Sequence, residues 1–290
     1  MRIVYHLGAH CTDEDRLVRC LLKNRAVLAE AGIAVPSPTR YRKLLRDTAT
    51  QLRGAAASQD TQAMILDQII DDGPVDRLIL SWTSFLSFPA YAVGEMLYAN
   101  GGQRLRGFTR IFPDFQAEFH LGLRNPATFL PLLYDRLKPA SYGEFLAGAD
   151  PFALRWSDVV GQILDANPDA PLTVWCDEDT PLIWPEVLQA VSGLPEGTPL
   201  EGEEDLVASL MSGEGLTRMN TYIAGHPPQT VLQRRKIVSA FLDKFALPER
   251  IELEFEMPGW TEDMVEDLTA LYEEDVARIA AMPEVTFLHP

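Results

Sequence analysis

Cysteine is scarce in this sequence: Cys11, Cys20 and Cys176 are odd in number and scattered through 290 residues. That argues against a disulfide framework or a zinc site and suits reduced thiols, with Cys20 and Cys176 read as core residues. Long apolar runs are also missing, and none reaches the ~18 residues of a membrane span. The opening MRIVYHLGAH has too short an apolar run for a signal peptide and no small-residue cleavage site, so the expected location is the cytoplasm. Basic side chains are few, 25 Lys and Arg against 42 Asp and Glu, for a net charge of −17. This argues against general affinity for nucleic acid or anionic lipid, which need a basic face to displace counterions. There is no long Ser/Gly/Pro linker, internal repeat or low-complexity tract, which favours one domain over residues 1–290.

What is present is an ordinary globular composition, 47% hydrophobic and 23% charged, with enough apolar material for a sizeable core. The charge is uneven. Residues 1–60 hold 10 of the 25 basic side chains and 6 of the 42 acidic ones, so an anionic ligand is expected near this segment.

Periodicity predicts strands at Arg2–Leu7, Ile33–Val35, Arg77–Ser81, Ala117–Leu123 and Leu172–Cys176, separated by helical sequence. The fold class expected is α/β, with a mainly parallel central sheet, helices on both faces and a helical C-terminal half. A helix is predicted from about Asp13 to Ala31, ended by Gly32, with others around Pro228–Phe245 and Thr261–Ala281, the last N-capped by Thr261. Sheets of this kind place ligands at the carboxyl ends of their strands, so the loops after Leu7, Ser81, Leu123 and Cys176 are the candidates for chemistry.

The first of these loops, Gly8-Ala9-His10-Cys11-Thr12, joins a strand to a helix start, where backbone N–H groups and the helix dipole can converge on an anion. It lacks the GxxxxGK[ST] pattern, which argues against a nucleoside triphosphatase. Thr12 followed by Asp15 also has the spacing of a capping box. His10 is a candidate general base, or a loop histidine making a structural hydrogen bond. Cys11 is read as an inert thiol, because the three carboxylates that follow it oppose ionisation. The acidic residues beside His6 and His10 offer metal-ligand chemistry, but no recognised spacing supports it and no metal is expected.

The opening resembles the sulfotransferase family, a P-loop-like fold whose first strand continues as H-x-G-x-x-K-T-G-T-T into a helix ending A-G-I-x-x-P. The matching residues are His6, Gly8, Thr12, Leu17, Leu21, Asn24, Arg25 and Leu28, then Ala31-Gly32-Ile33 with Pro36. A second match is Leu123-Arg124-Asn125-Pro126 with Tyr134. The resemblance covers about half the chain, chiefly residues 2–36 and 77–137. It implies a site for 3′-phosphoadenosine 5′-phosphosulfate formed by Gly8, Ala9, Cys11, Thr12, Asp13, Glu14, Asp15, Ser81, Arg124 and Tyr134. Arg124 and Tyr134 would meet the 3′-phosphate, and a sulfuryl group would pass to a hydroxyl or amine acceptor with His10 as proton acceptor.

The departures are equally specific. Cys11 stands where the family has its bridging lysine, Asp13 to Asp15 replace small residues, and Leu132 stands where a serine is usual. Two readings follow: a sulfotransferase-like enzyme, or a protein of the same fold that does not transfer sulfuryl groups and binds another ligand or a partner protein. Arg124 fits a phosphate contact in the first and a carboxylate partner in the second.

Overall fold

The computed structural model describes residues 1–71, 73–139, 141–195, 197–251, 257 and 259–290. Its centre is a six-stranded sheet in the order β2-β3-β1-β4-β5-β6, formed by β1 (Arg2–His6), β2 (Ile33–Ala34), β3 (Arg77–Ser81), β4 (Gln116–Leu123), β5 (Leu172–Cys176) and β6 (Val285–Phe287). Every pairing is parallel. Parallel strands need crossover connections, and the helical sequence between them supplies these. In the central β1, all residues after Arg2 are buried, as a strand covered on both faces requires.

The helices are α1 (Arg16–Lys23), α2 (Arg25–Glu30), α3 (Pro38–Leu52), α4 (Gln59–Ile69), α5 (Gly101–Thr109), α6 (Pro126–Leu137), α7 (Tyr142–Leu146), α8 (Trp156–Ala166), α9 (Thr180–Ser192), α10 (Asp205–Leu210), α11 (Gly213–Gly225), α12 (Val231–Phe245), α13 (Pro248–Ile251) and α14 (Glu262–Ala280). Alternate strand residues divide them between two cores. Ile3 and Tyr5 of β1 pack with Tyr41 of α3, Phe108 of α5, Phe129 of α6, Trp156 of α8 and Tyr272 of α14. Val4 and Ile79 face the other way, onto Leu17 and Leu21 of α1 and Trp184 and Val187 of α9. A smaller cluster of Val207, Met211, Met219 and Val238 joins α10, α11 and α12.

The α/β class and the helices on both faces agree with the sequence reading. Two details differ, and the N-cap expected at Thr261 is present. The helix expected over Asp13–Ala31 starts only at Arg16 and is interrupted at Asn24. The side chain of Asn24 donates to the Cys20 and Glu201 carbonyls and accepts from the Glu201 N–H, so a distant segment fixes the break. The late helices begin at Val231 and Glu262, with Thr261 capping α14 by accepting from the Met264 N–H. Finally, the helical C-terminal half ends in β6, which returns to the sheet beside β5. Among the described residues no helix is long and apolar enough to cross a membrane.

Candidate functional site

The loop after β1 remains tied to the sheet. Leu7 and Ala9 donate their N–H groups to the His120 and Gly122 carbonyls, and Gly122 donates back to Gly8 at 2.6 Å. Gly8 has φ +87, and a Cβ there would lie 3.0 Å from Thr83 Cγ2, so both backbone angle and space call for glycine.

Beyond Ala9 the chain makes three left-handed turns at residues other than glycine: Cys11 (φ 58), Glu14 (φ 47) and Asp15 (φ 62). Such conformations cost about 1–3 kcal/mol each unless the surroundings hold them. An arginine meets each one. Arg124 donates to the Cys11 carbonyl, Arg136 donates to Glu14 at 2.9 Å, and Arg42 makes a two-pronged pair with Asp15. Arg42 also donates to the Ser81 carbonyl at 2.9 Å, linking the loop to the end of β3.

Asp13 takes the position an anion would occupy at the start of α1. Its Oδ2 accepts the Leu17 N–H at 2.8 Å, a cap on an otherwise orphan donor. The expected capping box is therefore absent: the Thr12 hydroxyl donates to the Ala9 carbonyl, and Asp15 begins α1 without a side-chain cap. The Asp13 Oδ1 is buried without a partner. A cavity of only about 10 Å³ remains beneath the loop, lined by His6, Asp13, Arg16 and Asp177 among others. That volume barely accepts one water.

Arg124, at the exit of β4, does meet the loop. It donates from Nε to Thr128 at 3.1 Å and from Nη1 to Asp177 Oδ2 at 3.0 Å, as well as to the Cys11 carbonyl. Burial pushes the Asp177 carboxyl up to about 7 against the pull of Arg124, with Glu178 adding to the rise. Glu178 in turn accepts from the Asn125 N–H at 2.8 Å and from the Tyr272 hydroxyl at 3.1 Å. These acidic partners lie in the loop after Cys176, one of the four candidate loops; what the sequence did not assign was their pairing with Arg124 and Asn125. Their signal was the Asp177-Glu178-Asp179 run itself, which suits a helix-entry loop equally well.

The histidines lie behind the loop. His6 Nδ1 is 2.8 Å from Ser81 Oγ, and its ring stacks on Trp175. His10 is completely buried, stacked on Tyr98 with Nδ1 2.8 Å from the Tyr98 hydroxyl, which also receives the His10 backbone N–H. Burial and the Arg136 charge lower His10 to about 4. The ring is thus neutral near pH 7 and turned away from solvent, an arrangement suited to the structural hydrogen bond rather than to general base work. Burial raises the Cys11 thiol above its ordinary value, the inert state expected from the sequence.

The structure brings together Gly8, Ala9, Cys11, Thr12, Asp13, Glu14, Asp15, Ser81 and Arg124. The Tyr134 ring packs edge-on against Tyr142 and Phe145, while Arg136, two residues later, reaches Glu14.

No family model and no curated protein matches this sequence. The site must therefore be read from its own chemistry. Arg42, Arg124 and Arg136 each face a carboxylate, and the start of α1 faces Asp13. These groups favour a fixed loop over an open anion cradle. Among the described residues no group of three or more His, Cys, Asp or Glu side chains has a metal-holding arrangement.

Proposed function

We propose that this chain is a non-catalytic binding protein on a sulfotransferase-like α/β scaffold, in which the loop after β1 is a structural latch and not a seat for 3′-phosphoadenosine 5′-phosphosulfate. The observation that carries this reading is the pairing of Arg42, Arg124 and Arg136 with Asp15, Asp177 and Glu14. A phosphate entering there would have to displace carboxylates already bound to the same guanidinium groups. It would also meet the uncompensated Oδ1 of Asp13 in a space of about 10 Å³. Two like charges about 4 Å apart repel by roughly 4 kcal/mol at an effective dielectric of 20, enough to remove about three orders of magnitude of affinity.

Sulfuryl transfer relies on stabilising charge at the leaving phosphate. Here Cys11 occupies the position of the lysine that would supply that stabilisation, its thiol is held neutral, and His10 is buried. The retained Arg124-Asn125-Pro126 sequence is the feature that favours the transferase reading. Calorimetric titration with 3′-phosphoadenosine 5′-phosphate separates the two. The binding-protein reading expects no heat of binding at micromolar nucleotide. It also expects affinity to appear in the triple variant Cys11→Lys, Asp13→Gly, Glu14→Thr. Micromolar binding by the unaltered protein, abolished in Arg124→Ala, would overturn it in favour of the enzyme.

A further inference from the structure

The opposite end of the sheet has the reverse character. Residues 101–113, GGQRLRGFTRIFP, contain three arginines and no carboxylate, in a chain whose net charge is −17. They form α5 and the turn leading to β4. Arg104 donates to the Ser84 carbonyl and lies over the Phe88 ring. Arg106 donates to the Ala166 carbonyl at the end of α8, and Arg110 to the Gly54 carbonyl after α3. Among the described residues neither Arg106 nor Arg110 forms an ion pair.

Between these two contacts lies a cavity of about 580 Å³ at the amino ends of β1, β4 and β5. This is within the roughly 300–1,000 Å³ range of small-molecule sites. Arg106 and Arg110 line it together with Phe112, Phe115, Pro113 and Pro171. Its amide side chains are partly engaged: the Gln116 oxygen accepts from Arg2 at 3.2 Å, and Asn167 donates to the Ile163 carbonyl at 3.1 Å. A guanidinium carries five N–H donors, so one carbonyl leaves most of them open and the charge uncompensated. Arg106 and Arg110 are four residues apart, a spacing that places neighbours on one helical face. Arg2 and Asp169 also line the cavity; Arg2 is paired with Glu118.

We propose that this cavity binds a small molecule with an anionic head, carboxylate or phosphate, and a flat apolar body. The head meets Arg106 and Arg110, where two unneutralised guanidiniums provide fork-shaped donors. The body lies against the phenylalanine and proline wall. The cavity is at the far end of the strands from the β1 loop, so its occupancy does not depend on whether that loop accepts a nucleotide.

Phenyl phosphate is the probe, with inorganic phosphate and phenol as comparison ligands, and backbone amide shifts of the full chain as the readout. Saturable shifts are expected in residues 110–117 and 167–171, at concentrations about tenfold lower for phenyl phosphate than for either comparison ligand. Arg110→Gln should weaken this binding by about tenfold or more. Ala56→Trp, at an exposed position on the cavity lining, should block the cavity while leaving both arginines and their carbonyl contacts in place. The idea fails if phenyl phosphate produces no saturable shifts there, if inorganic phosphate or phenol binds as tightly, or if a folded Ala56→Trp variant binds phenyl phosphate unchanged.

Discussion

At the carboxyl ends of the strands, Arg42, Arg124 and Arg136 each meet a carboxylate, and the cavity beside Asp13 and Asp177 holds only about 10 Å³. At the amino ends, Arg106 and Arg110 meet carbonyl oxygens beside a cavity of about 580 Å³. The residue type is the same, and the partner decides its effect. A carboxylate cancels the guanidinium charge and fills the space in front of it. A carbonyl supplies only a dipole, so charge and room remain for something else. Parallel sheets ordinarily bind ligands at their carboxyl ends. In this protein the three loop arginines at that end are paired with carboxylates, while Arg106 and Arg110 at the other end are not.

Two carboxylates, Glu118 buried and Asp177 largely so, sharpen this contrast, since their titrations are shifted in opposite directions. Glu118 in β4 accepts from Arg77, from Arg2 at 3.1 Å and from His120 Nε2 at 2.7 Å. Burial raises this carboxyl, but His120 and Arg77 outweigh it and hold it at about 2, below its ordinary 4.5. Its stabilising effect is therefore complete above pH 4.5 and lost as the pH falls toward 2. Asp177 is raised from 3.8 to about 7, so its ionisation lowers stability as pH rises through that interval.

The largest expected effect is from Glu118→Ala, which takes the carboxylate from the largely desolvated Arg77 guanidinium and leaves it only the Ala190 and Val191 carbonyls, and should cost about 3–5 kcal/mol in urea unfolding at pH 7. It should also remove the decline of wild-type stability between pH 4.5 and 2 that comes from this group. A loss below about 1 kcal/mol would show that Arg77 finds water instead. Next comes Arg124→Ala, expected to cost about 1–3 kcal/mol by freeing the Cys11 carbonyl and Asp177. The loss should be greater at pH 8 than at pH 6, because Asp177 can remain protonated at the lower pH; equal losses would refute the Arg124–Asp177 coupling. Asp13→Ala should have the smallest effect, about 0.5–2 kcal/mol, through the Leu17 N–H left without its acceptor. Thermal unfolding would detect it, and an increase in stability would mean that the unpartnered Oδ1 outweighs the cap.

Much of this arrangement was legible in the sequence because it rests on local pattern. The strand, glycine turn and helix order placed the β1 loop correctly, and the strand ending at Leu123 put Arg124 at the same end of the sheet. What escaped were contacts between residues far apart in the chain. Asn24 interrupts the first helix because its side chain serves the Glu201 backbone, a partner 177 residues away. Arg124 finds Asp177 across 53 residues, and Arg136 finds Glu14 across 122. Such pairs leave no periodic trace. The amino-end cavity draws on residues as distant as Ala56 and Pro171; its one sequence trace was the acid-free arginine segment of α5.

The sheet narrows toward its margins: β4 has eight residues, whereas the outermost strands β2 and β6 have two and three. A foreign strand arriving at either border would find only a few backbone groups in register, too few to template an extended ladder. Brevity at the rim thus leaves another chain little edge to extend.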